Sequence, residues 1–437
     1  MTGRWGPTCH RIQQLTSTGP ARSSRHRSTT AGPRESLGED DSTTQRLAIA
    51  AVQVLGLAVW FSMSAVVPSV QADWGISSAQ AVWLTGTVQL GFVTGALAST
   101  VLNLADRCPP HILMAASAAL AAGCTFALAA LADGLLLALA LRFLTGVFLA
   151  GVYPVGIKLM ASWAPTANRG LAMGLLIGAL TIGSTLPHLV GGLVTLPWRE
   201  VLQVTAAIGL AGAVVALLVV RAGPHLSTGA VALHPRYALA MFAEAGPRRV
   251  NLGYFGHMWE LYALWTWVSV FVLHSHASAE LGTRRAILVF VTMGLFGLAG
   301  CLIGGWAADR YGRSAAAVTA LSISGACCLL SPLAFLAPLP VLAIFFATWG
   351  AAVIADSGVF STALSEVADQ RFVGTALSAQ TAIGFALTVA SIQLVPLLAG
   401  AVGWQYAFLV LALGPAIGAP AMRRAAAGLH ATSSSTR

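Results

Sequence analysis

The chain has 437 residues, of which 57% are hydrophobic and only 9% are charged. A soluble globular domain carries about 25% charged residues, so this composition excludes a soluble enzyme, a disordered protein and a nucleic-acid-binding module. The net charge of +9 does not indicate nucleic-acid binding, because most basic residues stand in short segments between apolar stretches. Those stretches are continuous, which excludes the alternating strands of an outer-membrane barrel.

Residues 1–45 differ from the rest of the chain. They are rich in Arg, Ser and Thr, contain the acidic run 39–41, and lack the apolar core of a signal peptide. We predict a disordered cytoplasmic tail for residues 1–45.

Twelve apolar runs follow, each about as long as the roughly 20 residues that a helix needs to cross a membrane. They are residues 46–70, 79–104, 111–132, 135–162, 169–194, 200–221, 250–274, 284–307, 314–337, 340–366, 371–398 and 402–421. The sequence therefore predicts an all-α integral membrane protein with twelve transmembrane helices.

The chain also repeats itself at an offset of about two hundred residues. Asp106-Arg107 after the second run corresponds to Asp309-Arg310 after the eighth. This repeat predicts two pseudo-symmetric six-helix bundles, residues 46–221 and 250–421. A cytoplasmic linker, 222–249, joins them, and a cytoplasmic tail, 422–437, follows.

The basic residues predict the orientation in the membrane. With the N-terminus inside, 19 Lys and Arg residues fall on the inner side and three on the outer side. Cytoplasmic loops carry the excess of Lys and Arg. We therefore expect a multi-pass protein of the inner (plasma) membrane with both termini in the cytoplasm.

A polar motif connects the eighth and ninth runs: Gly305-x-x-x-Asp309-Arg310-x-Gly312-Arg313. Its glycine permits close helix packing, and its aspartate can accept hydrogen bonds at a neighbouring helix N-terminus. The motif resembles the signature loop of the major facilitator superfamily, and the likeness extends over about residues 46–421. It implies a substrate site near mid-membrane between the halves, lined by helices one, four, seven and ten, and a loop that latches the halves together.

The first-half copy of this loop keeps Asp106 and Arg107 but lacks the glycine and the second arginine. The second copy is therefore expected to carry more of the latching. The segment Gly256–Ala263 resembles a bacterial subgroup of the same family, which implies no particular substrate.

Ionisable residues inside the apolar runs are the main candidates for function. Each costs at least about 2.5–3.5 kcal/mol at a helix centre. Besides histidines there are four: Arg142 and Lys158 in run four, Glu260 in run seven and Asp356 in run ten. All four fall on the helices that the family resemblance assigns to the cavity.

His257 and Glu260 stand three residues apart, within reach on one helix face. A histidine beside a buried carboxyl can load and release a proton, so we predict proton coupling through Glu260 assisted by His257. Asp356 is a further proton carrier, or a counter-ion to Arg142 or Lys158. The alternatives are a static pair, a Glu260 bonded to a Trp or Tyr, and an Asp356 bonded to Ser357.

The two cations suit an anionic substrate group, although both can instead extend toward the lipid headgroups. Neutral polar and aromatic residues complete the predicted substrate cavity: Gln53, Trp60, Gln89, Thr181, Ser184, His188, Tyr262, Trp265 and Gln380. Each alone is more often a contact between helices than a ligand contact.

These features predict a secondary active transporter of a small organic solute, not an enzyme, with a preference for symport of an organic anion and protons. Proton-driven efflux of drugs or metabolites is the alternative; a transporter-like sensor or an intramembrane enzyme lacks the domain or motif it needs. We expect no cofactor, metal, nucleotide or nucleic-acid partner, and a monomer in the lipid bilayer.

Overall fold

The computed structural model describes residues 33–102, 104–164, 169–193, 196–226, 235–369 and 371–434. Residues 1–40 cluster as one unit, in which the described residues 33–40 are helical, and residues 41–437 form the other. The predicted disordered tail lies outside the described residues up to position 32, whereas residues 33–45 are helical.

Twelve long helices make up most of residues 41–437. They are α1 (Asp41–Trp74), α2 (Ala79–Val101), α3 (Pro110–Leu131), α4 (Leu135–Ser162), α5 (Arg169–Gly191), α6 (Trp198–Leu218), α7 (Ala245–His274), α8 (Arg285–Tyr311), α9 (Arg313–Phe335), α10 (Leu339–Val367), α11 (Val373–Val402) and α12 (Trp404–Ala425). The part of the chain that the structure describes has no strand. The prediction of an all-α protein with twelve membrane helices is confirmed.

Eleven of these helices, among the described residues, are long and apolar enough to cross a membrane. The twelfth, α7, has 30 residues but is less apolar, since it carries His257, Glu260 and three tryptophans. Most of its side chains between Val250 and Val272 are nonetheless buried in the protein. A helix enclosed by its neighbours can hold polar groups that lipid would not accept.

Three of the helices are interrupted near their middle. In α1 a 3₁₀ turn at Leu57–Val59 precedes a break at Trp60 and Phe61. In α4 the α-helix pauses at 150–152, and in α10 it pauses at Asp356. Side chains at all three breaks are buried, as they must be, because irregular backbone at membrane depth is tolerated only inside protein.

Arg142 of α4 holds the break in α1. Its guanidinium is 1% exposed and donates to the backbone oxygens of Val59 (3.0 Å), Trp60 (2.5 Å) and Leu84 (3.0 Å). The α1 carbonyls are those that an interrupted helix leaves without partners. Arg142 thereby fixes the direction in which Trp60 and its neighbour Phe61 leave the helix.

The two halves, α1–α6 and α7–α12, meet through two crossing pairs: α2 with α11, and α5 with α8. In the second half, α8 and α10 are in main-chain contact. A Cβ atom on Gly300 or Gly304 would collide with the carbonyl oxygens of Ala351 and Ala355 respectively. Only glycine permits this approach, so α8 and α10 form one closely packed pair.

Helix direction gives the assembly two distinct ends. We call the end where α2 and α8 finish and α5 and α11 begin the arginine-rich end, because it carries Arg107, Arg169, Arg310, Arg313 and Arg371. The opposite end carries the start of α2 and of α8 and the finish of α1, α5 and α7.

Candidate functional site

A cluster of aromatic rings fills the junction of the two halves. We call it the aromatic cluster; its members are Trp60, Phe61, Phe92, Tyr153, Tyr262, Trp265 and Phe385. The first four belong to α1, α2 and α4, and the last three to α7 and α11. Both halves therefore contribute rings to one continuous group.

Trp60 lies at the centre of the aromatic cluster. Its ring centroid is 4.8 Å from that of Phe92, 5.9 Å from Tyr262 and 5.7 Å from Phe385. Phe61 contacts Tyr262 and Trp265 across the same junction, at 5.9 Å and 5.7 Å. These separations are those at which aromatic rings attract one another. The break in α1 thus presents two adjacent rings to the second half.

Several buried polar groups on the same helices have no hydrogen-bond partner among the described residues. They are the indole nitrogens of Trp60 and Trp265 and both amide atoms of Gln89 and of Gln380; the Ser184 hydroxyl on α5 is likewise unpaired. Gln89 lies about one turn before Phe92 on one face of α2. Unpaired polar groups are expensive in a membrane interior, and these lie on helices that meet at the junction of the two halves.

His257 of α7 contacts Asp356 at the break in α10. The His257 Nδ1 lies 2.8 Å from Asp356 Oδ1, and both side chains are almost fully buried. The Nε2 lies 2.7 Å from the hydroxyl of Ser357. Asp356 accepts no hydrogen bond of good geometry from a described residue, so its contact with His257 is mainly electrostatic. The break in α10 puts Asp356 and Ser357 on either side of the imidazole.

Glu260 has different neighbours from those expected. Its Oε1 accepts from Ser324 of α9, from Trp349 Nε1 of α10 at 2.6 Å and from Cys328 of α9 at 3.3 Å. Glu260 and His257 therefore share no hydrogen bond, and the bond from Trp349 is the alternative in which Glu260 bonds a tryptophan. The two positions differ by about 60° around α7, enough to direct Glu260 between α9 and α10 and His257 toward the break in α10.

The remaining polar candidates divide between packing roles and the cavities. Gln53 donates to the Val152 oxygen at the break in α4, at 3.2 Å, and Thr181 donates to its own helix at Ile177. Lys158 is half-buried near the arginine-rich end. Arg142 is occupied by backbone carbonyls, so Asp356 is not its counter-ion.

A cavity of about 250 Å³ opens between the halves at the opposite end. Its walls come from α1, α5, α7 and the start of α8, and include Ser64, Pro68, His188, Ser269, Leu273 and Arg285. The Nδ1 of His188 lies 3.1 Å from the Ser269 hydroxyl, which joins α5 to α7 on one wall. This cavity places His188 away from the aromatic cluster, at the mouth of the junction.

The motif around Asp309 lies at the arginine-rich end, where α8 meets the start of α5. A Cβ atom on Gly170, at the start of α5, would collide with the Asp309 carboxylate, so that carboxylate lies directly against the α5 backbone. Gly312 takes a φ of +91° between α8 and α9, which favours glycine. Arg313 pairs with Glu366 of α10 at 2.7 Å.

The other residues of the predicted loops lie at the same end. Arg310 and Arg107 are exposed, and Asp106 and Arg107 belong to a short helix, Leu104–Arg107. In the turn before α11, Arg371 donates to Asp369 at 2.6 Å. These hydrogen bonds hold the pKa of Asp369 at about 2, so this turn stays charged at physiological pH.

Sequence reasoning missed part of the site. Phe61, Phe92, Tyr153 and Phe385 were not singled out, although each lies in the aromatic cluster. The doublet Trp60-Phe61 just after Gly56 was an available signal for a helix break carrying rings. No comparable signal marks Phe92 or Phe385, because an isolated phenylalanine in an apolar run is ordinary.

The comparisons with known proteins agree with this architecture. A profile of the Major Facilitator Superfamily matches residues 49–392. A gallate transporter of Pseudomonas putida is 26% identical over 303 residues, which are 61% of this chain and 65% of the relative. The match thus spans slightly less than two thirds of that relative.

Two solved structures share the fold. A bacterial homologue of the human lysosomal transporter Spinster, in an inward-facing and unoccupied conformation, superposes with a TM-score of 0.67 at 16% identity, over 88% of this chain and 97% of its own. The nucleoside transporter NupG gives a TM-score of 0.65 at 15% identity, over 87% and 99%. The chain belongs to the major facilitator superfamily. It is a multi-pass membrane protein of that family.

The contact between Gly170 and Asp309 predicts how the arginine-rich end opens. Gly170→Ala puts a methyl group against the Asp309 carboxylate, and Asp309→Asn removes its charge. Both changes should weaken the α5–α8 contact and raise the rate at which Met173→Cys, beside that contact, reacts with a maleimide several-fold. Gly123→Ala, whose added methyl group meets open space, is the control. Equal labelling in all three variants would remove this contact from the closure.

Proposed function

We propose that the protein imports a small aromatic carboxylate together with protons across the inner membrane, with both termini in the cytoplasm. The observation that carries this proposal is the aromatic cluster, whose rings come from both halves and stand beside unpaired indole and amide groups. The similarity to a gallate transporter supports it, because gallate is an aromatic carboxylate.

Ring contacts favour a flat aromatic solute. The ring centroids of Trp60 and of Phe61 each lie 5.9 Å from that of Tyr262. Opening the junction between the halves separates both pairs of rings. Each ring–ring contact contributes about 0.5–1.5 kcal/mol beyond the buried area. An aromatic solute that lies between the rings restores those contacts, whereas a sugar or an aliphatic solute does not.

The electrostatics of the junction favour coupling to a proton. The aromatic cluster contains no charged side chain, and the Arg142 guanidinium already donates to three carbonyl oxygens and to the Ser62 hydroxyl. A lone carboxylate buried there carries a large desolvation cost. A proton taken up in the same cycle keeps the loaded carrier closer to neutral, which lowers that cost.

The His257–Asp356 pair is the proton site that the geometry supports best. It is buried, it joins α7 to the break in α10, and its carboxylate lacks strong hydrogen bonds. The titratable groups nearest to it are Glu260 and Tyr254 on α7 and Cys301 on α8. A cavity of about 20 Å³ beside Ala355 and Gly358 leads toward the arginine-rich end, and roughly 10–15 Å³ is enough for one water.

Uptake of gallate and benzoate by proteoliposomes with an inwardly directed proton gradient tests the substrate class. We expect accumulation that collapses when the gradient is dissipated. Trp60→Ala should raise the KM at least tenfold, because Trp60 contacts rings of both halves. The matched control is Trp306→Ala, since Trp306 is 54% exposed on α8. Uptake of neither acid by the wild-type protein, or an equal effect of both substitutions, would contradict the aromatic site.

Proton coupling is tested by separating accumulation from exchange. Asp356→Asn should abolish gradient-driven accumulation and leave exchange of labelled for unlabelled solute, since exchange need not cycle the proton. His257→Gln should shift the pH profile of uptake.

Glu260→Gln keeps an oxygen that can accept from Ser324 and Trp349, so it should retain accumulation within about threefold. The opposite result, with Glu260→Gln uncoupled and Asp356→Asn normal, would assign the proton to Glu260.

The proposed orientation is tested with introduced cysteines on a background in which Cys9, Cys108 and Cys124 are serine. Glu280→Cys at the opposite end should react with a membrane-impermeant maleimide in intact cells. Ala243→Cys before α7 should react only after the cells are opened. Both native positions are exposed, and the reverse labelling would overturn the topology.

A further inference from the structure

We infer that the cavity at the opposite end is a first binding site for the carboxylate of the solute, with Arg285 as its cationic ligand and the His188–Ser269 pair as its polar wall. This inference rests on the proposed function. It adds a second site to the aromatic cluster, one turn farther toward the opposite end.

On two helices, a residue that lines the cavity follows a residue of the aromatic cluster by four positions. Ser64 follows Trp60 by four residues on α1, and Ser269 follows Trp265 by four residues on α7. On α7, which is continuous between Trp265 and Ser269, four residues advance about 6 Å. A solute in the cavity therefore stands one helical turn from the rings, on the boundary between the two halves.

Arg285 supplies a positive charge at the cavity wall. It is half-buried, and its guanidinium donates to the Ser278 hydroxyl at 3.3 Å. In the described part of the chain it forms no ion pair with a carboxylate. Its planar fork can donate two parallel hydrogen bonds to a carboxylate. The adjacent Arg284 is exposed and does not line the cavity.

His188 contributes a ring nitrogen, Nε2, that makes no hydrogen bond within the described part of the protein. The residue is 5% exposed, and its Nδ1 is engaged with Ser269. Its Nε2 has no hydrogen bond with any residue that the structure describes. An unpaired ring nitrogen of a residue that lines a cavity is suited to bind a hydroxyl or carboxylate oxygen of a solute.

Size restricts the ligand to small acids. The cavity has a volume of about 250 Å³, slightly below the roughly 300–1,000 Å³ of sites for drug-sized ligands. A single-ring acid such as benzoate or gallate fits this volume. The apolar wall from Pro68, Val270 and Leu273 suits the ring, and Arg285 suits the carboxylate.

Protection from labelling tests this site without requiring transport. Leu273→Cys, on the cavity wall, is introduced on the background with Cys9, Cys108 and Cys124 replaced by serine, and the purified protein is treated with a maleimide. Benzoate should slow the labelling at least fivefold, and sodium chloride at equal ionic strength should not. Arg285→Gln should abolish the protection, Arg284→Gln should leave it, and Arg285→Lys should restore part of it.

The outcomes distinguish a failure of this binding site from a failure of the proposed transport function. Protection that is lost in Arg285→Gln but retained in Arg284→Gln supports the site, even if proteoliposomes accumulate no aromatic acid, in which case only the proposed function fails. Equal protection in the two glutamine variants, or none in the wild-type background while gallate is transported, overturns the site. In transport, Arg285→Gln should raise the KM at least fivefold with little change in kcat.

Discussion

A polar group inside a membrane protein has no water to replace a missing hydrogen bond, and this constraint organises the centre of the molecule. The break in α1 leaves carbonyl oxygens at mid-membrane without partners in their own helix. Arg142 donates hydrogen bonds to three backbone oxygens of α1 and α2. These hydrogen bonds give the carbonyl oxygens at the break partners inside the protein. Trp60 and Phe61 can then face the second half as a fixed pair of rings.

The same constraint applies to the buried polar groups that have no hydrogen-bond partner. Gln89, Gln380 and the indole nitrogens of Trp60 and Trp265 are buried without partners, whereas Glu260 accepts from three donors. Satisfied groups hold one arrangement of helices. Under the proposed function, a polar solute at the junction supplies the missing hydrogen bonds, so its binding favours the arrangement that accommodates it.

The sequence predicted the twelve helices and the family because apolar length and the Asp309 motif are local signals. It also placed Tyr262, Trp265 and Asp356 among the candidates, since polar or aromatic residues in apolar runs are conspicuous. The sequence did not predict which side chains contact one another. Three residues on one helix separate His257 from Glu260, but which neighbour each meets depends on how α9 and α10 pack, and one sequence carries no signal for that.

The main-chain contact between α8 and α10 has a consequence for how this protein can diversify. Gly300 and Gly304 leave no room for any side chain, so this part of the second half tolerates almost no sequence drift. Rings at the junction, by contrast, sit in side-chain contacts that can be exchanged for others of similar volume. Under the proposed function, changes of solute specificity are therefore expected among the rings on α1, α2 and α11, whereas Gly300 and Gly304 cannot be replaced unless α8 and α10 move apart.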